Sequence, residues 1–142
     1  MLVWSEYLKE LGYKKSDFPF NKTARQDPRY ALDKKTGTVQ AQTWNLETTI
    51  ILEMYVYLRD FQDHYMKIGT PVYYASKPDG SKEYHKLIQE IIDSLKARIQ
   101  AYKLESSDFE TYEDYIKAQD ELIEKFEHGW KLLGENIACL WW

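Results

Sequence analysis

The chain has 142 residues, with 19 Lys and Arg against 23 Asp and Glu for a formal charge of −4; 44% of residues are hydrophobic and 30% charged. That length and balance predict one folded domain with its own core, and they exclude a disordered chain. They also exclude a general nucleic-acid binder, which needs a strong basic excess. No apolar run approaches the roughly 20 residues of a membrane span. Met1–Glu10 carries Glu6 and Glu10 and lacks a signal-peptide core. The single cysteine, Cys139, forms no internal disulfide and fits a reducing compartment. These features predict a cytoplasmic protein without a membrane partner. The aromatic content of 15%, with 12 Tyr and 5 Trp, is unusual.

In chain order, Leu2 to Leu11 reads as a short amphipathic helix closed by Gly12. Tyr13 to Thr43 has no sustained period and is punctuated by Pro19, Pro28 and Gly37, with weak alternation over Thr36 to Thr43 that predicts a short strand pair. So long a stretch without its own structure is expected to pack across helices or to serve a function. The first long helix is predicted over 45–68, with Ile51, Met54, Leu58, Phe61, Tyr65 and Ile68 on one stripe and Gly69, Thr70 and Pro71 at its end. The second is predicted over 81–103, capped by Ser81, with Tyr84, Leu87, Ile88, Ile91, Ile92, Leu95, Ile99 and Tyr102 on a broad apolar face. The third is predicted over 108–140. It opens at the capping-box pattern Ser107-x-x-Glu110 and carries Tyr112, Ile116, Ile123, Phe126, Trp130, Leu133, Ile137 and Leu140. Gly129 and Gly134 are expected points of interruption, since a mid-helix glycine costs about 1 kcal/mol against alanine. The expected fold is all-α. Three long antiparallel helices form a bundle, joined by a short N-terminal helix. The chain reads as a single domain, 1–142, with 1–44 as an irregular basic arm and 45–142 as the helical core.

Charge is uneven. Residues 12–44 hold Lys14, Lys15, Lys22, Arg25, Arg29, Lys34 and Lys35 against Asp17, Asp27 and Asp33, which leaves the rest of the chain acidic. The basic arm either lies across the acidic third helix or presents Arg25 and Arg29 to a phosphate, which the planar guanidinium binds through two hydrogen bonds.

No catalytic signature is present. Glu90 with Asp93 and Glu121 with Glu124 have the look of the Mg²⁺ pairs of helical nucleotide pyrophosphatases. Both pairs fall off the apolar stripes, however, and read as solvated faces. His64, His85 and His128 are scattered, and the couples Asp60–His64 and Glu124–His128 lack a second ligand set for a metal. Cys139, beside Leu140, reads as a buried structural thiol. The six glycines are spread singly, so there is no phosphate loop. No enzyme activity, metal or cofactor is expected.

The aromatics carry more information. Tyr65, Tyr84, Phe126 and Trp130 fall on helical stripes and read as core. Tyr30, Trp44, Tyr55, Tyr57, Tyr73, Tyr74, Trp141 and Trp142 fall outside them. Trp44 and Trp141 either lock helix ends together or offer a stacking platform for a base. The candidate ligand site is Arg25, Arg29, Tyr30, Trp44, Asn45 and Thr48, where cations lie just upstream of a helix start whose N–H groups and dipole favour an anion. The aromatic surplus also predicts self-association, most simply a symmetric dimer.

Two stretches carry a resemblance. Thr43-Trp44-Asn45-Leu46-Glu47-Thr48-Thr49-Ile50 opens the first long helix, and Gly129-Trp130-Lys131-Leu132-Leu133 with Leu140-Trp141-Trp142 closes the chain. Together they resemble a group of small tailed-phage proteins with a Trp-x-Leu-x-x-Thr-Ile entry and a Leu-Trp ending. Val56 and Tyr57 stand where that group often has Pro-Arg. The resemblance implies an early accessory protein of an infected bacterium. One class that fits is an anti-defence sponge, which binds a host immune nucleotide of the cyclic ADP-ribose type and withholds it from its effector. A phage inhibitor that occludes a host protein surface is the alternative, and a pyrophosphatase-like enzyme is a third reading.

Overall fold

The computed structural model describes residues 2–18, 28–66 and 69–140. It is 75% helical and 3% strand, as an all-α sequence demands. The chain gathers into two compact units, Met1–Val56 and Tyr57–Trp142.

In the first unit the N-terminal segment winds as a 3-10 helix, Glu6–Leu11, rather than the expected α-helix. Six residues are too few to offset α-helix nucleation, and 3-10 geometry is common at this length. Ser5 caps it through Oγ, which accepts the Tyr7 N–H, and Gly12 closes it at φ 79°, a left-handed conformation that glycine adopts without a Cβ penalty. Leu8 and Leu11 are buried on its inner side. A second 3-10 turn covers Lys15–Asp17 and a third Pro28–Tyr30.

The strand pair lies earlier than the alternation of Thr36 to Thr43 suggests. Strand β1, Leu32–Asp33, pairs antiparallel with β2, Thr38–Val39, in the register Leu32 to Val39 and Asp33 to Thr38. Asp33 decides this. Its carboxylate accepts the Lys35 and Thr36 N–H groups and its carbonyl accepts the Gly37 N–H, which locks a turn over residues 34–37. Those two N–H donors also hold the Asp33 carboxyl below the ordinary range.

Helix α1, Gln40–Trp44, follows β2 directly, and α2 runs Leu46–Asp60. The first long helix thus starts within one residue of the expected position, and Asn45, whose φ of −107° and ψ of 45° leave the helical region, separates it from α1. Asn45 turns its own amide back on Ala41 O at 3.1 Å, the local competition that makes asparagine a poor helix residue. Ile51, Leu52, Tyr55 and Leu58 are the buried face of α2. Tyr55, read from sequence as an off-stripe aromatic, is core. Only 1% of it is exposed, and its hydroxyl donates to Glu10 Oε2 at 2.6 Å.

After Asp60 the chain makes a π-helical turn, Phe61–Tyr65, in which the Met66 N–H donates to Phe61 O. Lys67 and Ile68 of the expected helix lie outside the described residues. A four-residue helix, α3, spans Val72–Ala75 and was not evident in the sequence. Helix α4 runs Gly80–Lys103. Asp79, in the left-handed region at φ 56°, precedes it, and Ser81 is inside it rather than capping it. Gly80 is needed there, because a Cβ would sit 1.6 Å from Tyr74 O. Helix α5 runs Tyr112–Asn136. Its cap is Thr111, whose Oγ1 accepts the Asp114 N–H at 3.1 Å, whereas the Ser107 pattern falls on a separate 3-10 turn at Ser106–Asp108. Neither Gly129 nor Gly134 interrupts α5.

Helices α4 and α5 pack through Ser94 with Gly129, and Arg98 lies over the Phe126 ring at 5.6 Å. The Tyr84 hydroxyl reaches the Cys139 carbonyl oxygen at 3.0 Å beyond the end of α5. Low numbers in one helix thus meet high numbers in the other. The face of α4 with Tyr84, Ile88, Ile91, Leu95 and Ile99 is buried almost completely, as its periodicity predicts. The expected core of α5 is shifted. Leu133 is buried, but Tyr112, Trp130 and Ile137 are 68%, 39% and 55% exposed. Tyr65 and Tyr102, also expected in the core, are 48% and 42% exposed. A wide apolar stripe spans more of the helix than one partner helix can cover.

Tyr84 has a measurable signature. It is buried against Tyr74, with ring centroids 5.1 Å apart, and edge-on to Phe61 at 6.5 Å. Burial, with Cys139 and Tyr74 nearby, pushes its phenol up to about 12. The folded state therefore keeps the proton where an unfolded tyrosine loses it near pH 10. Stability from this residue is complete below pH 10 and is lost as pH rises towards 12, by about 3 kcal/mol in all. Urea titrations at pH 9 and pH 11.5 should show a shallower decline in Tyr84→Phe than in the parent; equal declines would mean that Tyr84 ionises freely.

Candidate functional site

The 3-10 turn Pro28–Tyr30 packs beside α1, and this brings Tyr30 over the junction of α1 and α2. A pocket of about 280 Å³ opens there, lined by Tyr30, Asn45 and Thr48 from the predicted set together with Tyr13, Asp17 and Phe18. Leu2 and Leu52 supply apolar wall. Phe18 is held edge-on to Tyr13 at 5.8 Å and tilted against Trp4 at 5.9 Å, so the aromatic wall is braced from behind. Gln42 is spent on structure: its Nε2 donates to Leu2 O at 2.6 Å while its Oε1 accepts the Leu2 N–H at 3.3 Å, which pins the N-terminal segment across α1.

The donors at this site are fewer than the sequence suggests. Because α1 leads directly into α2, Asn45 gives both its backbone N–H and its side-chain amide to Ala41 O. Thr48 is half-buried at the wall. Asp17 is the charged group of the lining, and its Oδ2 accepts the Lys14 N–H at 2.7 Å. A carboxylate in the wall repels a phosphate and accepts hydrogen bonds from hydroxyl or amino groups. The chemistry of the pocket thus suits a flat, uncharged, donor-bearing group, such as a nucleobase with its sugar.

The remaining predicted residues stand apart from the lining. Arg29 is exposed on the same turn as Tyr30, beside the pocket rather than in it. Trp44 is 66% exposed and does not line the pocket. Trp141, expected to lock helix ends together with Trp44, lies outside the described residues, as does Arg25. Tyr13, Asp17 and Phe18 were missed because they sit in the aperiodic stretch, where spacing carries no information about direction. The cluster Tyr13, Asp17, Phe18 was the available signal, an aromatic pair around a carboxylate.

A larger depression of about 580 Å³ follows α5, lined by Tyr112, Ile116, Lys117, Asp120, Glu121 and Glu124. All its walls come from one helix, so no second element can clamp a small ligand in it. Of the carboxylate pairs, Asp93 accepts from Gln89 Nε2 at 3.0 Å and Glu90 lies 3.9 Å from Lys86 Nζ. His64 pairs with Asp60 at 3.0 Å. Among the described residues, no group of three or more His, Cys, Asp or Glu is placed to hold a metal ion. No described helix is long and apolar enough to cross a membrane.

Comparison with protein-family models, with curated proteins and with solved structures finds no match for this chain.

Proposed function

We propose that this protein is a phage-encoded accessory protein that binds a signalling nucleotide of the cyclic ADP-ribose type and sequesters it without catalysis. The observation that carries the reading is the pocket that brings Tyr30, Asn45 and Thr48 together with the Tyr13 and Phe18 rings. Its aromatic wall supports base stacking, worth about 1–3 kcal/mol per base. Its volume, at the lower end of ligand sites, suits one base and its sugar. Phosphates would project towards Arg29, which is exposed beside the pocket. The proposal includes a site of action in the bacterial cytoplasm, packing of the three long helices as an antiparallel bundle, and self-association as a dimer. Exposed Trp44, Tyr57 and Tyr112 favour a second reading, in which the protein occludes a host protein.

The test is a thermal-shift panel of adenine and guanine mono- and dinucleotides, followed by chromatography of the ligand released on heating. Binding at a hundredfold excess over Kd should add about 2.7 kcal/mol of stability, and the nucleotide should be recovered intact. Tyr30→Ala should weaken binding about 5- to 150-fold, the loss of one stacked base. Arg25→Gln with Arg29→Gln should abolish binding and leave the free protein's melting temperature nearly unchanged. No thermal response to any nucleotide, with recovery of a host protein instead, would favour the occluding reading. A chemically altered nucleotide would make the protein an enzyme.

A further inference from the structure

Helix α5 has a second apolar edge that α4 does not cover. Ile116, Ile123, Trp130 and Ile137 recur at intervals of seven residues, the last of them in the 3-10 turn Ile137–Leu140 that follows the helix. Seven residues bring a helix back within about 20° of the same direction, so the four side chains stay in one line. The line extends for about 30 Å. Packing against α4 uses the neighbouring side of α5, through Phe126, Gly129 and Leu133. Along the seven-residue line, Ile116 and Ile123 are only half-buried, while Trp130 and Ile137 are 39% and 55% exposed. Four large apolar side chains in register along an open helix edge form the kind of seam that a second helix covers.

We infer that this edge of α5 is the interface with a second copy of the chain, paired antiparallel about a two-fold axis at Ile123. The inference rests on the self-association proposed above and gives it a place. Two observations select a second copy. Within α5 the apolar line is symmetric about Ile123, with Ile116 and Trp130 seven residues to either side. A two-fold axis there sets Ile123 against Ile123, and Ile116 of each copy against Trp130 of the other, which is the self-complementarity an isologous contact requires. The flanking charges are also complementary. Glu113, ten residues before the axis, meets Lys131, eight residues after it on the second copy. Glu127 likewise meets Lys117. Asp120 approaches both Glu124 and Glu127 of the opposite copy, the like-charged approaches on that flank, and Lys117 stands next to them.

Sedimentation velocity over 1–100 μM and oxidative cross-linking test this together. The parent should sediment as a dimer, and Ile123→Lys should convert it to a monomer with unchanged helical content. In a Cys139→Ala background, Ile123→Cys should oxidise to a covalent dimer, and His128→Cys, on the opposite side of α5, should not. If Ile123→Lys fails to fold, the cross-linking pair decides the matter by itself. A parent that is monomeric throughout overturns the inference along with self-association. A dimer that survives Ile123→Lys and leaves Ile123→Cys reduced overturns the inference alone, and self-association then uses another surface. A monomeric parent that binds a host protein through Trp130 would give the edge to that partner and overturn the inference as well. Nucleotide binding at the Tyr30 pocket is independent of every one of these outcomes.

Discussion

Ile91→Asp is expected to unfold the helical unit. Ile91 is fully buried on α4, between Ile88 and Leu95 on the same covered face. Truncating a buried isoleucine costs about 2–5 kcal/mol by itself. A carboxylate left in its place, without a partner, adds several kcal/mol more or takes up a proton to avoid the cost. The total reaches the whole stability of an ordinary domain, about 5–15 kcal/mol. Circular dichroism at 25 °C should show loss of most helical signal. Gln100→Asp, on the exposed side of the same helix, should melt within about 0.5 kcal/mol of the parent. Parent-like melting of Ile91→Asp would mean that this face of α4 does not form the core.

The second large effect is a reversal of sign between two glycines of α5. A Cβ at Gly129 would lie 2.0 Å from Ser94 Oγ and 2.1 Å from Ser94 Cβ, while a Cβ at Gly134 has nothing within 4 Å. Ser94 cannot swing clear, because it is buried and its hydroxyl donates to Ile91 O at 2.7 Å. The helices must therefore separate to admit even a methyl group, at an overpacking cost of about 1–3 kcal/mol, with more for valine. Gly134→Ala should gain up to about 1 kcal/mol from helix propensity, so the same substitution stabilises at one position and destabilises at the other. Ser94→Gly should restore part of the loss in Gly129→Ala, since it removes the atoms that clash. Equal gains at both glycines in thermal melts would show that α4 and α5 do not cross at Ser94.

The extent of α4 was legible almost to the residue, because Tyr84, Ile88, Ile91, Ile92, Leu95 and Ile99 repeat over several turns and every one of them is buried. The same periodicity located α5 but not its inner side. Its apolar stripe is wider than one neighbour can cover, and which half faces α4 depends on where small residues allow close approach, at Gly129 and Ser94. The start of the first long helix near Asn45 was legible, whereas the separate helix α1 before it was not, since Gln40 to Trp44 is too short to show a period of its own. At the candidate site, Tyr30, Asn45 and Thr48 were found by chemistry and turn out to be neighbours. Asp17 and Phe18 were not found, because an irregular segment has no period from which to read a direction.

Composition and patterning determined by themselves that the chain is helical, where its two longest helices run and that α4 has a continuous apolar stripe. These follow from local propensity and from the 3.6-residue repeat, which need no knowledge of the partner. Only the tertiary structure decided that Tyr55 is core while Trp44 and Trp130 are exposed, and that Tyr13, Phe18 and Tyr30 share a pocket. Those outcomes depend on contacts between residues far apart in the chain, such as Leu2 with Gln42 and Glu10 with Tyr55. Burial is a property of the pair in contact, and a single stretch of sequence contains only one member of it.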